Sequence, residues 1–217
     1  MSIELLHMDC MDYLRECEDN AFDLAIVDPP YAVGASDGKF GGQKGKESNT
    51  GILTKHYANH DRVPDGEYFT ELFRVSKNQI IWGANYYPQY LNHSGWVVWD
   101  KLTVGPLSDC ELAYQSINKL VEKFTCAWTG YHKQESRRYS KAKIHPNQKP
   151  VSLYEWLLAK YAKEGDRILD THLGSGSSAI ASHYFGCDFV GIEIDKDYYN
   201  AACQRFDDET AQQSLAL

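Results

Sequence analysis

The run of residues 22–27, dominated by apolar strand formers, stops at Asp28-Pro29-Pro30-Tyr31, and no other stretch limits the fold as much. Two consecutive prolines remove two backbone donors, so neither a helix nor a central strand can continue through them. The pattern predicts a buried strand with a carboxylate at its tip. The prolines hold the next turn extended, so the carbonyls of Pro29 and Pro30 point in fixed directions and Tyr31 stands at a fixed height. An acceptor cluster beside an aromatic plate suits a planar ring that carries an amine. A plain proline turn, with Asp28 as its local acceptor, would need neither the second proline nor the tyrosine.

Around that stretch, strand and helix patterns alternate. Residues 3–7 read as a strand and Asp9 opens a helix, so that with 22–27 they form a right-handed parallel unit, the elementary piece of a doubly wound sheet. Asp65 caps a helix running to about Lys77, followed by a strand at 79–83, a short helix at 86–91 and a strand at 96–99. Segments 110–114 and 124–128 read as antiparallel strands, and helical spacing covers 153–161. Residues 167–170 form a strand, 171–178 a glycine-rich turn opening a helix at 179–185, 187–192 the next strand, and 197–206 a final helix. The whole predicts one α/β domain over residues 1–217.

A chain of 217 residues, 43% apolar and 24% charged, has room for one well-formed core and little more. Neither a signal peptide nor a membrane span is visible, which predicts a cytoplasmic protein. Six cysteines without a Cys-x-x-Cys pair predict reduced, buried thiols. His56 and His60 have helical metal-ligand spacing but lie in irregular, glycine-rich sequence, so no metal site is expected. The aperiodic stretch at about 32–60 directly follows the key tetrapeptide and predicts a mobile loop over the site.

A net charge of −8 argues against a nucleic-acid partner until its distribution is considered. Residues 119–149 hold eight basic residues against two acids, interleaved with Trp128, Tyr131 and Tyr139. A solvated basic loop is the plain reading of such a run. Its asymmetry and its aromatics instead predict phosphate contact, with Lys133, Arg137, Arg138, Lys141 and Lys143 as the candidate residues.

The last third carries a second signal. Strand, Asp170, Gly174-Ser175-Gly176, helix, then a strand ending at Glu193 is the order of a nucleoside-binding βαβ unit. The glycines let backbone approach a ligand, and Glu193 is placed to accept from ribose hydroxyls. A structural turn into a helix is the alternative for the glycines alone. A dinucleotide is disfavoured because Ala179 stands where a third glycine is required.

The Asp28-Pro29-Pro30-Tyr31 tetrapeptide resembles the catalytic motif of amino-group DNA methyltransferases. Asp170-Thr171-His172-Leu173-Gly174-Ser175-Gly176 is similar to the family's Asp-x-Phe-x-Gly-x-Gly, with Leu173 assigned to the phenylalanine position. His145-Pro146-Asn147-Gln148-Lys149-Pro150 resembles its His-Pro-x-Gln-Lys-Pro element. The order of these motifs looks like the permuted β class, and the likeness spans about residues 3–206. The resemblance implies a seven-stranded, mostly parallel sheet with a terminal antiparallel strand. It also implies S-adenosylmethionine as cofactor, with Lys149 and Ser152 near its carboxylate, Asp9 near its adenine and Cys10 and His145 as further cofactor-binding residues, and DNA as substrate, bound by the basic candidates in a short recognition region at about 101–144. Direct methyl transfer to a flipped base is implied, with Asp28 and Pro29 accepting from the amine and Tyr31 as the stacking plate. Aspartate at 28 is typical of adenine enzymes. A cytosine-N4 or RNA methyltransferase, and a non-catalytic nucleic-acid-binding relative, stay open, as does a homodimer.

Overall fold

The computed structural model describes residues 1–31, 63–92, 95–103, 108–129, 132–135, 139 and 142–211. The expected loop at 32–60, with His56 and His60, lies outside the described residues, as do Arg137, Arg138 and Lys141.

Strand β1 (Ile3–His7) leads into helix α1 (Cys10–Glu16), whose N-cap Asp9 accepts from the Met11 N–H at 2.8 Å. Strand β2 (Leu24–Val27) is wholly buried and ends one residue before Asp28, as the prolines require. Helix α2 (Gly66–Val75) starts at Asp65, whose carboxylate accepts from Glu67 and Tyr68, and strand β3 (Gln79–Trp82) follows. The helix expected at 86–91 is instead two 3-10 turns, Ala84–Tyr86 and Pro88–Tyr90. Pro88 can start a turn but cannot donate within a longer helix.

The rest of the main sheet comes from β4 (Gly95–Asp100), β5 (Cys110–Gln115), β6 (Val121–Thr125), β9 (Arg167–Asp170) and β10 (Asp188–Glu193). Strands β7 (Trp128–Thr129) and β8 (His132–Lys133) pair separately. Helices α3 (Val151–Tyr161), α4 (Ser177–Phe185) and α5 (Lys196–Ala211) complete the fold.

Strand order is β1-β10-β9-β2-β3-β5-β4-β6. The doubly wound, mostly parallel sheet is as expected, but it has eight strands rather than seven, and its reversed strand β5 lies inside the sheet rather than at its end. The expectation of an antiparallel strand at 124–128 is also corrected: β6 pairs with β4 in parallel. β6 does run against β5, its predecessor, but it passes β5 to join the far edge of β4.

Period-two alternation sends side chains to two cores. Leu24, Ile26, Ile80, Trp82 and Ile168 pack under α3 and α4, whereas Ala25, Val27, Ile81 and Leu169 pack under α1 and α2. The cysteines are free, but only Cys126 and Cys187 are buried as expected; Cys10, Cys17 and Cys203 are half-buried and Cys110 is exposed. No helix among the described residues is long and apolar enough to cross a membrane.

Leu72→Ala, which empties a fully buried position on α2, should cost about 2–5 kcal/mol in urea unfolding. Leu120→Ala, at a 59% exposed position, should stay within about 0.5 kcal/mol. Equal costs would contradict the two-core packing.

Candidate active site

Four adjacent parallel strands deliver acids to one edge. Asp9 follows β1, Glu193 closes β10, Asp170 closes β9 and Asp28 follows β2. Chain direction across the sheet reverses between β9 and β2, the switch point at which open α/β sheets hold ligands outside their carboxyl ends. The two motifs separated by some 140 residues of sequence are therefore neighbours.

On the β1–β10 side a cavity of about 340 Å³ is lined by Asp9, Cys10, Pro30, Tyr68, Thr171, His172 and Glu193. Asp170 sits behind it, accepting from Ser178 Oγ at 2.6 Å and from the His172 N–H at 3.0 Å. Burial pushes its pKa up to about 7 against those two bonds. Glu193 accepts from the N–H groups of Gly174 and Asp195, both at 2.9 Å, and burial raises its pKa as well. Burial pushes the Cys10 thiol up to about 12, so it stays protonated and unreactive near neutrality.

His172 was missed by the sequence reading. Counted from Asp170, the motif's aromatic position falls on His172, not Leu173, and the assignment above is corrected accordingly. Leu173 is buried in the core and donates its N–H to Ile192, whereas His172 lines the cavity, linked through Thr171 Oγ1 (2.9 Å) to Tyr68 Oη (2.7 Å). Burial lowers the His172 pKa to about 4, which leaves a neutral ring. The motif's spacing alone would have identified it.

Both glycines hold left-handed backbone, which side chains rarely adopt. Gly176 has φ 73°, and a Cβ there would meet Ala202 of α5 at 3.4 Å; one on Gly174, φ 54°, would face the His145 ring at 3.6 Å. Arg205 Nη1 fixes the turn by donating to the Ser175 carbonyl at 2.8 Å and to Ser177 Oγ at 2.9 Å. Ser177 Oγ in turn donates to the Lys149 carbonyl at 2.8 Å. The hexapeptide is braced within itself and against Trp128: Gln148 accepts from Ile144 and donates to Ala142, while Trp128 Nε1 donates to the Gln148 carbonyl at 2.6 Å. Glu135 accepts from the N–H groups of Val151 and Ser152, which occupies the α3 N-terminus. Burial, then the Lys149 charge, lowers the His145 pKa to about 4.

On the β2–β3 side Lys149 meets Asp28, a contact that the sequence did not predict. Its buried ammonium donates to Asp28 Oδ2 and lies 3.3 Å from Glu111 Oε2 and 5.4 Å from the Trp82 ring centroid. Burial raises the Asp28 pKa; the Lys149 charge opposes that rise and Glu111 adds to it. Asp28 Oδ1 is buried and has no hydrogen-bond partner among the described residues. Tyr87 Oη lies within donating distance of the Pro29 (3.0 Å) and Pro30 (2.7 Å) carbonyls, each of which keeps a lone pair. Tyr31 stacks on Tyr86 at 4.6 Å and 6°, over a left-handed Gly83 whose Cβ would fall 2.6 Å from the Tyr31 ring. A glycine directly after an apolar strand was the available signal for this second turn.

Of the described basic candidates, Lys133 and Lys143 flank Trp128 at 5.7 and 6.0 Å. Burial, then the charges of Lys133, Lys101 and Lys149, lowers the Lys143 pKa.

Comparison with known proteins identifies the family and the fold. Residues 54–204 match the DNA methylase family model N6_N4_Mtase. The Type II methyltransferase M2.DpnII of Streptococcus pneumoniae is 23% identical over 94% of this chain and 90% of its own length. The Thermus thermophilus protein TTHA0409, a putative DNA modification methylase solved with S-adenosyl-L-methionine, superposes with a TM-score of 0.61 at 17% identity, covering 95% of each chain. The PvuII cytosine-N4-specific DNA methyltransferase superposes at 0.62 with 11% identity, covering 97% of this chain and 91% of its own. At such identities the two structural likenesses speak to fold alone.

Tyr87→Phe removes the donor from two proline carbonyls. It should cost about 1–3 kcal/mol in urea unfolding; a change below about 0.5 kcal/mol would mean that the hydroxyl does not brace the turn.

Proposed function

The chain belongs to the N6/N4 DNA methylase family, and on that premise we propose that it transfers the methyl group of S-adenosylmethionine to the exocyclic amine of an adenine swung out of a DNA duplex. The observation that carries the reading is Asp28 Oδ1. A buried carboxylate oxygen without a partner is costly unless a ligand uses it, and this one stands beside two fixed carbonyls and an aromatic plate.

The cavity at β1 and β10 suits the cofactor's nucleoside. Each Glu193 oxygen keeps a lone pair for ribose hydroxyls, and His172, Asp9 and Cys10 border the space for adenine. S-adenosylmethionine, when bound, supplies a methyl carbon whose bond to cationic sulfur breaks with the electron pair staying on sulfur. Asp28 Oδ1 and the Pro29 carbonyl accept the two N–H bonds of the target amine. Its lone pair, otherwise delocalised into the ring, is thereby directed at the methyl carbon. As the N–C bond forms, nitrogen sheds one proton, which Asp28 Oδ1 takes. The thiol of Cys10 stays protonated and takes no part.

An amine inside a duplex is unreachable, so the base leaves the stack and meets Tyr31, whose ring is held against Tyr86. Lys133 and Lys143 supply positive charge at the rim, and phosphate there relieves the crowding of like charges. Aspartate at 28 supports adenine over cytosine. A cytosine amine would use the same acceptors, so the methylated nucleoside is what separates the two.

The test is incubation with labelled S-adenosylmethionine and duplex DNA, followed by nucleoside analysis. N6-methyladenine is expected, and N4-methylcytosine would replace the adenine reading. Asp28→Ala should lower methyl transfer by at least about 100-fold while cofactor binding persists. An active Asp28→Ala variant would remove the assignment.

A further inference from the structure

Strand β5 belongs to the main sheet, and the scheme above gives it no task. Because it runs against its neighbours, its first residues, not its last, stand at the edge that holds Asp28 and Asp170. Trp82, the end of β3, is in register with Ala113, and the Gly83 N–H donates to the Leu112 carbonyl. Glu111 is the next residue out. Its Oε1 accepts from Lys101 Nζ at 3.0 Å, and its Oε2 lies 3.3 Å from Lys149 Nζ.

Four charges of alternating sign therefore run Lys101, Glu111, Lys149, Asp28, with side-chain exposures of 15%, 25%, 3% and 16%. An ammonium beside a single carboxylate settles between its two oxygens, where the attraction is greatest. Here a second carboxylate draws on the same ammonium, which donates to Asp28 Oδ2 while Oδ1 has no partner among the described residues.

We propose that Glu111 is a positioning residue for methyl transfer: it draws Lys149 off the bisector of the Asp28 carboxylate, so that the ammonium neutralises Asp28 through Oδ2 and leaves Oδ1 open to the amine. The inference rests on the reaction proposed above. Without Glu111, the ammonium closes on both oxygens of Asp28. The amine then loses its acceptor, and Asp28 is held ionised more firmly, because a negative charge that raises its pKa is gone. The groups that face Asp28 are Lys149, Glu111, Tyr31 on its own turn, Tyr154 from α3 and Asp170 from β9. Tyr31 and Tyr154 have raised pKa values and stay neutral, and burial holds the Asp170 pKa up to about 7, so the displacement is read as the difference between variant and wild type.

Methyl transfer to duplex DNA by Glu111→Gln is measured against pH, with the cofactor Kd measured alongside. The expected result is a kcat about 10- to 100-fold lower, an unchanged Kd, and an acid limb displaced to lower pH. Removing one buried charge can disrupt a site, so a Glu111→Gln, Lys101→Met double variant, which loses one charge of each sign, is measured beside it. The double variant should show the same fall and the same displacement, and Glu111→Asp should recover part of the rate. A wild-type rate, or an acid limb that is unmoved or displaced upward in the double variant, overturns the role of Glu111. A wild type that transfers no methyl group to DNA overturns the reaction itself, and this role with it.

Discussion

The ion pair between Asp28 and Lys149 is the contact around which the rest of the site is arranged. A carboxylate at the end of a buried strand is costly, and burial drives it toward its neutral form, in which it is a poorer acceptor. The lysine counters that drift, and its second partner, Glu111, is itself paired with Lys101, so that the four charges balance. In this low-dielectric edge the pair is weak evidence for stability, and in the proposed reaction it keeps one acceptor ionised and aimed.

Topology explains why the two partners meet. The switch between β9 and β2 puts the Asp28 turn beside the glycine-rich turn, and the hexapeptide ahead of α3 reaches both, Lys149 meeting Asp28 and the His145 ring facing Gly174. Its carbonyl at Lys149 is held by Ser177, which Arg205 holds in turn, so α4, α5 and the hexapeptide share one hydrogen-bond chain ending at the lysine. The reversed strand β5 is what brings an acid to an edge that a further parallel strand would have reached only with its last residues. The same chemistry fits the family to which the chain belongs.

Much of this was legible in the sequence because it depends on local rules. Proline pairs end strands, Asp9 and Asp65 cap helices, and apolar periodicity marked most elements. What escaped was non-local. Nothing in the order of residues says that β6 passes β5 to reach β4, or that β5 lies inside the sheet. Lys149 was legible as a site residue, but not its partner, because residues 28, 111 and 149 converge only in three dimensions. Tyr86 and Tyr87 looked like part of a short helix, and only packing shows one stacked on Tyr31 and the other bonded to the proline carbonyls. His172 was within reach of spacing alone and was passed over for its neighbour.

The central claim is that Lys149 serves the catalytic carboxylate rather than the cofactor, and Lys149→Met separates the two through cofactor affinity and the pH dependence of kcat. Loss of the counter-charge raises the Asp28 pKa further, so the carboxylate is lost at a higher pH. The account predicts an unchanged Kd for S-adenosylmethionine, a lower kcat and an acid limb displaced to higher pH. Lost cofactor affinity with an unmoved acid limb would contradict it.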